Sequence, residues 1–395
     1  MQTISDRIQA LAVSQTLAMS QKSNELKARG IDVINLSVGE PDFPTPLHIK
    51  EAAKKAIDNN FSFYSPVPGY MSLRQAIAGK LSAENGLSFG PDQIVVGNGA
   101  KQALCNVILA TVNPGDEVII PVPAWVSYVE MVKLAEGKCV TVPTGIDDNF
   151  KITPEKLRAA ITSRTRALLL CSPSNPTGSV YSRDELQALV DVLADYPDIL
   201  VIADEIYEHI IYTDTPFTSL ASFPALEGRV VVINGVSKAY AMTGWRIGYC
   251  AAPAEIAKAV TKLQGQYTSG ASSIAQKAAE AAYIGPQDCV AQMCAAFRRR
   301  RDLVVRLARE IPGFKVNEPQ GAFYLFPEVS ALFGRTFNGH LISDASDLAM
   351  YLLEHAHVAT VDGAAFCAPG YIRFSYATSD ENITEAMRRI AEALK

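Results

Sequence analysis

The sequence predicts an α/β protein, with a large, mostly parallel sheet domain and a smaller, discontinuous α+β domain. Three observations carry this. Short, continuous apolar runs alternate with helical patterns between about residues 93 and 252, as strands covered on both faces of a parallel sheet do. After about residue 285 the texture changes to one long helical stretch, then short strands and helices. Finally, 395 residues, 48% of them hydrophobic and 19% charged, suffice for two or three units with a sizeable core and no staples. The balance of 36 Lys and Arg against 41 Asp and Glu gives a net charge of −5. That excludes disorder and a simple basic nucleic-acid surface.

In chain order the expected strands are Gln93–Val96, Glu117–Pro121, Lys138–Val142, Ala167–Ser172, Leu200–Asp204, Arg229–Asn234 and Gly248–Ala252. Helical patterns fall at Lys101–Ala110, Val126–Ala135, Pro154–Ile161 and Arg183–Asp195. Thr153 and Ser182 suit the N-caps of the last two, and Pro154 a first helical position. Pro286–Glu310 then reads as one helix, followed by a strand pair near 314–327 and a helix near 346–356. The strand Tyr371–Ala377 and a helix from about 380 complete the chain. The expected division is 1–46, packing with the small domain; 47–285, the large domain; and 286–395, the small domain.

The seven cysteines are scattered and contain no CxxC, which points to buried thiols in a reducing compartment. A basic stretch followed by an apolar one is missing at the N-terminus, and no run of about 18 apolar residues occurs. A cytoplasmic protein without membrane attachment is therefore expected. Arg298–Arg301 reads as the solvated or salt-bridged face of a helix rather than a nucleic-acid patch. His355 and His357 lack the carboxylate or Cys companions of a metal site.

Six segments carry the polar residues that chemistry needs. GVSKAYAMTGWRIG (235–248) places Lys238 just past a strand end, with Arg246 between Trp245 and an apolar pair, an unusual place for a solvated charge that points to a burying site. An amine and a guanidinium together suggest a carbonyl cofactor bearing a phosphate: Lys supplies an imine, Arg a planar fork. In LVIADEIYEHIIY, Asp204 ends a strand and Tyr207 follows. That carboxylate is open to metal binding, base catalysis, pairing with a ring nitrogen, or helix capping. CSPSNPTGSVYS is a turn after a strand, from which Asn175 can project an amide. VVGNGAKQAL leads from strand to helix through Gly97, Gly99 and Lys101, a place where free N–H groups bind phosphate. It lacks the third glycine and the later acidic residue of a dinucleotide site. PAWVSY sets Trp125 on a loop, for ring stacking or for packing. YIRFSY puts Arg373 in a strand, as a surface residue or as a carboxylate clamp.

Together these segments resemble the class I aminotransferases, the fold type I pyridoxal-phosphate enzymes. The likeness runs in order from SVGEPDFPTP (37–46) and FYSPVPGY (63–70) to YIRFSYA, most specifically in SPSNPTG and SKAYAMTGWRIGY. It implies the PLP-dependent transferase fold, with Lys238 as the Schiff-base lysine and catalytic proton carrier. It implies that Asp204 partners the pyridine nitrogen, that Tyr207 and Asn175 bond the ring oxygen, and that Trp125 stacks on the ring. Gly99, Ala100, Lys101, Ser237 and Arg246 correspond to the phosphate cradle. Tyr64 corresponds to the tyrosine that reaches the neighbouring subunit's phosphate, which implies a homodimer with shared sites. Arg373, helped by the backbone near Gly39, corresponds to the α-carboxylate clamp. Such enzymes run a ping-pong exchange of an amino group between amino acids and 2-oxo acids.

Within this family the chain is most similar to the bacterial aspartate aminotransferase subgroup, which has SxT, here Ser14-Gln15-Thr16, and a Lys at the position of Lys101. The resemblance implies that Lys101 and Thr16 hold the distal carboxylate of aspartate or glutamate, with hydroxyls near Ser269–Ser273. Relatives that take prephenate carry a Lys where this chain has Ala12. Aromatic, alanine or broad-specificity transamination, or a lyase reaction, fits the same scaffold. A ligand-sensing regulator is disfavoured, because the likeness begins within about 40 residues and Lys238 is kept.

Overall fold

The structure is a computed structural model that describes residues 3–13 and 15–395. Ser14 and the side chains of residues 15–17 lie outside the described residues, and the expected role of Thr16 lies there with them.

Successive residues of the central strands are sorted between two cores. Ile94, Val96, Leu168, Leu170, Val201, Ala203, Val230 and Val232 enter one apolar cluster. Their neighbours Val95, Ala167, Leu169, Leu200, Ile202, Val231 and Ile233 enter another. Side chains alternate across a sheet, so a run apolar at every position is a strand covered on both faces. Each fully buried Val, Leu or Ile contributes roughly 1.5–3 kcal/mol relative to exposure.

The result is a seven-stranded sheet in the order 94–98, 247–251, 230–235, 200–204, 165–171, 117–122, 138–143. Glu117–Val122 pairs in parallel with both neighbours, as do Leu200–Asp204 with its own. Ile247–Ala251 runs antiparallel to both strands beside it. The expected strand at 93–96 begins one residue later, because Pro91–Gln93 forms a 3-10 turn ahead of it. Thr153 and Ser182 cap their helices, each side chain accepting a backbone N–H from three residues on. Four further helices, Leu47–Asp58, Met71–Asn85, Ala254–Tyr267 and Ser273–Ile284, cover the sheet where no pattern had been assigned.

A separate core forms around the C-terminal helices and a three-stranded sheet of 361–362, 372–375 and 324–325. Asp288–Arg309 is the long helix; Ile372–Ser375 is shorter than the expected strand, and Ala345–Tyr351 runs into a π turn at 352–356. Ile34–Asn35 joins this region by pairing in parallel with Val358–Ala359. The first residues depart from the expected packing with the C-terminal part. Arg7 pairs with Glu136 at 2.6 Å, and the Ala12 N–H donates to Glu130 at 2.8 Å, which hold them beside the helix Ser127–Leu134.

Among the described residues, three of the four arginines of the run have partners within the chain. Arg299 pairs with Asp380, Arg300 with Asp42, and Arg301 donates to the Pro319 carbonyl. Of the two expected readings the salt-bridged one holds for Arg299 and Arg300, and Arg300 and Arg301 are buried besides, since the long helix turns them inward. Among the described residues no helix is long and apolar enough to cross a membrane, and no group of three or more His, Cys, Asp or Glu could hold a metal.

Candidate active site

A cavity of about 310 Å³ opens at the carboxyl ends of the parallel strands. This is where an open α/β sheet places its ligands. Ala100, Lys101, Trp125, Asn175, Asp204, Tyr207, Ser237, Lys238, Arg246, Arg373 and Gly39 all line it. Most arrive just past a strand end, and Arg373 lies within the strand Ile372–Ser375. Asp204 is the last residue of Leu200–Asp204, and Asn175 follows Thr165–Cys171 by four. Lys238 follows Val230–Gly235 by three, and Gly99 caps Ala100–Thr111 directly after Ile94–Asn98.

At the floor, burial pushes the Asp204 carboxyl up, while the Tyr128 hydroxyl and the Ile206 N–H pull it back. Tyr128 donates to Asp204 Oδ2 at 2.6 Å and Ile206 to Oδ1 at 3.2 Å. Lys238 Nζ donates to the Gly39 carbonyl at 2.5 Å. Desolvation lowers its pKa to about 8, with Arg373 and Arg246 adding to the effect and Glu40 opposing it.

At the opposite wall, Arg373 is 2% exposed. Its guanidinium donates to Asn175 Oδ1 at 2.9 Å and to the Ser37 carbonyl at 2.6 Å. It also lies over the Tyr324 ring at 4.6 Å, while its Nε has no partner. No carboxylate among the described residues pairs with it. Gly39 is required beside it, because a Cβ there would stand 2.4 Å from the Tyr324 hydroxyl. Tyr324 and Tyr207 share a hydrogen bond at 2.8 Å.

The third wall is a helix N-terminus. Gly99 has a φ of +83°, and an added Cβ would come within 2.5 Å of the Arg246 guanidinium. Gly248 approaches so closely that its Cβ would lie 2.1 Å from the Ala100 nitrogen. The Gln102 and Ala103 N–H groups bond the Gly99 carbonyl, while those of Ala100 and Lys101 have no carbonyl within the helix to bond. Arg246 donates to the carbonyls of Thr243 and Asn98. It is exposed rather than buried as its apolar neighbours suggested, because a left-handed φ of 59° turns it out of the strand toward the cavity mouth. Lys101 is exposed overall, but its ammonium lies 5.2 Å from the Trp125 ring centre. Partial desolvation there, then Arg246, lowers its pKa. Trp125 is half-buried and meets Tyr128 edge-on at 5.4 Å.

Tyr64 lies outside this cavity and is 98% exposed. Ser272 and Ser273 line a different cleft, with Phe61–Ser65. The sequence reading missed Tyr128, Cys171 and Tyr324, all of which line the cavity. Tyr128 stands three residues after Trp125, a helical spacing that could have found it.

The family description "Aminotransferase class I and II" matches residues 31–390. The chain is 51% identical over 394 residues to the aspartate/prephenate aminotransferase of Nitrosomonas europaea, with 99% of each chain covered. It is 49% identical to the Cereibacter sphaeroides protein of the same name, covering 98% of this chain and 97% of that one. Among solved structures, the aspartate aminotransferase of Rhizobium meliloti superposes with a TM-score of 0.96 at 44% identity, over 100% and 99% of the two chains. The Thermus thermophilus aspartate aminotransferase with maleate gives 0.93 at 42% identity, over all of both chains.

Proposed function

Since the chain belongs to the class I and II aminotransferases, pyridoxal-phosphate enzymes that move amino groups, we propose that it transfers the amino group of L-aspartate to 2-oxoglutarate by a ping-pong exchange. The observation that carries a carboxylate-bearing substrate is Arg373, a buried guanidinium in the cavity wall without a carboxylate partner. The relative solved with maleate, a small dicarboxylate, supports a second acidic group on the substrate.

The residues present fit the cofactor. The close approach of Gly99 and Gly248 to Arg246 and Ala100 leaves a cradle that any side chain would fill. First-turn N–H groups and a guanidinium are the donors a phosphate needs. A buried Asp204 suits a cationic ring nitrogen, which would restore its ionised form. When bound, pyridoxal phosphate supplies a carbonyl that condenses with amines and a ring that draws electrons from Cα.

In this reading Lys238 moves a proton between the substrate Cα and the cofactor's C4′. Asp204 keeps the ring nitrogen protonated, and Tyr128 fixes which way that carboxylate points. Asn175 has its Oδ1 engaged by Arg373, which leaves its amide N–H to donate, with Tyr207, to the ring oxygen the cofactor would bring. Trp125 covers the ring and excludes water. Gly99, Ala100, Lys101, Ser237 and Arg246 hold the phosphate. Arg373 grips the α-carboxylate beside Gly39, while Lys101 and Thr16 take the distal one.

We also propose a cytoplasmic homodimer. Tyr64 at 98% and Phe63 at 79% exposure form an apolar patch beside the cleft of Ser272 and Ser273, where a second copy could bring Tyr64 to its own site. Sedimentation at micromolar concentration checks it; a monomer would remove the shared site.

The test of function is a panel of amino donors with the PLP form of the enzyme, following conversion to the pyridoxamine form. Aspartate and glutamate should convert it fastest. Preference for alanine or aromatic donors would overturn the aspartate assignment. Prephenate with glutamate belongs in the same panel, because Ala12 stands where prephenate users carry a Lys.

A further inference from the structure

Behind the cavity lies a buried polar cluster that the proposed chemistry does not use. Lys80, from the helix Met71–Asn85, and Glu208, from the turn after Asp204, are buried together, with side chains 2% and 4% exposed. Lys80 Nζ donates to Glu208 Oε1. Asn234 Nδ2 donates to the same oxygen at 2.6 Å, and Asn85 Nδ2 donates to Oε2 at 2.8 Å. The other end of Asn234 is also engaged, its Oδ1 accepting the Gly235 N–H at 2.7 Å.

The position of this cluster matters. The strands Leu200–Asp204 and Val230–Gly235 are hydrogen-bonded neighbours, with Asp204 in register with Ile233. Beyond that point the first strand ends in a turn that carries Tyr207 and Glu208, while the second runs on through Asn234, paired with Tyr249, to Gly235 before the loop of Ser237 and Lys238. The Glu205 N–H donates to the Ile233 carbonyl at 2.9 Å, and past it the Glu208–Asn234 bridge ties the turn to the strand end that leads to Lys238.

A buried ion pair adds little net stability, because desolvation offsets the attraction. Its gain is geometric: one carboxylate accepts three donors from two segments, Lys80 and Asn85 of the helix Met71–Asn85 and Asn234 of the strand Val230–Gly235, and fixes their distance from its own turn. We propose that Glu208, paired with Lys80 and bridged through Asn234, is a positioning residue that sets the placement of Lys238 relative to Asp204. This rests on reading Lys238 and Asp204 as the cofactor-holding pair.

Several other titratable groups face Glu208. His209 Nδ1 lies 3.7 Å away, and Glu84 lies 3.5 Å from Lys80 while bonding His209 Nε2 at 2.8 Å. Glu205 and the phenols of Tyr240, Tyr249 and Tyr283 are close enough to feel the Glu208 charge. Lys80 is the cation in direct contact, and it holds Glu208 in the charged form despite burial.

The test uses PLP-loaded enzyme and two variants. Asn234→Ala cuts the bridge but leaves the Lys80–Glu208 pair; Glu208→Gln removes the charge. The pH titration of the absorption band of Lys238-bound cofactor should shift its midpoint in both. The kcat for aspartate should fall on the order of tenfold, with KM changed less than about twofold, since small misplacement at a reacting centre costs rate. The apoenzyme's Kd for PLP should rise by about the same factor. If Glu208→Gln fails to fold, Asn234→Ala alone decides. Variants that lose thermal stability but keep the wild-type titration midpoint and PLP affinity overturn the inference, because Glu208 then only packs. A wild-type protein without the band would overturn the reading of Lys238 as well; a wild type with the band and unmoved variants overturns this inference alone.

Discussion

Two regions of the molecule bury cations in opposite ways. Behind the strand ends and along the long helix Asp288–Arg309, Lys80 meets Glu208, and Arg300 meets Asp42 with both terminal guanidinium nitrogens, at 2.7 and 2.9 Å. In the cavity, Lys238 finds the Gly39 carbonyl and the rings of Tyr207 and Phe323 at 5.8 Å, and Arg373 finds an amide oxygen, a carbonyl and two aromatic faces. A charge taken from water without a counter-ion is costly. The two cavity cations answer that cost differently. Lys238 can shed its proton and become a nucleophile, with a pKa of about 8. Arg373 stays charged and must wait for an anion. Where a fold leaves a buried cation unpaired and facing a void, it is holding a place for a ligand.

Removing Lys238 should be the most damaging way to disturb this contrast. Lys238→Ala should abolish the absorption band of bound PLP and lower transamination by about 10⁴-fold or more, because both the nucleophile and the proton carrier are lost. An unchanged spectrum in this variant would sink the assignment of Lys238.

The two arginines break the comparison most cleanly. Arg373→Leu should lower kcat/KM by about 100-fold for every amino acid and 2-oxo acid, because all share the α-carboxylate. The same change removes an unpaired buried charge, so the melting temperature of the apoenzyme should hold or rise. Arg300→Met should do the reverse. It leaves Asp42 without its cation and should destabilise the fold by about 2 kcal/mol, a figure reduced by the partial exposure of Asp42. Its kcat/KM should change far less than that of Arg373→Leu. Equal effects of the two variants on both readouts would show that pairing does not separate ligand-binding from structural arginines.

The same distinction explains what could be read from the chain alone. The strands were legible because a run apolar at every position has few other uses, and Asp204 and Lys238 were legible because such runs end at them. Arg373 could be placed in a strand, but a strand arginine is compatible with solvent, and only its partners in space mark it as unpaired. Tyr324 and Tyr128 were missed because an aromatic residue in an apolar stretch reads as core. Arg300 was left between a solvated and a salt-bridged face, since its partner Asp42 lies 258 positions away. Arg246 was misread as buried, because a left-handed backbone turn has no signature in its apolar neighbours.

Lys101 sharpens the contrast at a smaller scale. It sits at the cavity rim with its ammonium near Trp125 and Arg246, and two cations in one place favour a dianionic ligand or two anions. Lys101→Ala should lower kcat/KM for aspartate about tenfold more than for an aromatic donor, as expected for one partly solvated charge contact. Equal losses for both donors would confine Lys101 to the phosphate.

Glu205 supplies the smallest effect and a third answer to burial without a partner. It neighbours Asp204 but points away from the cavity, accepting from Ser219 at 2.7 Å on one oxygen. The other oxygen has no hydrogen-bond partner among the described residues. Desolvation, then the nearby Glu208, raises its pKa to about 8. With no void to admit a cation, this carboxyl takes a proton instead. The folded state therefore binds a proton that the unfolded chain releases above about pH 4.5. The stabilisation is fully present below that pH and is lost as pH rises through about 8. Glu205→Gln, which keeps the shape and carries no charge, should flatten this part of the stability profile, leaving the variant the more stable of the two at pH 9. Urea unfolding of the apoenzyme from pH 5 to 9 measures it. Parallel profiles for the two proteins would mean that Glu205 stays ionised, and that a buried charge here is tolerated without partner, ligand or proton.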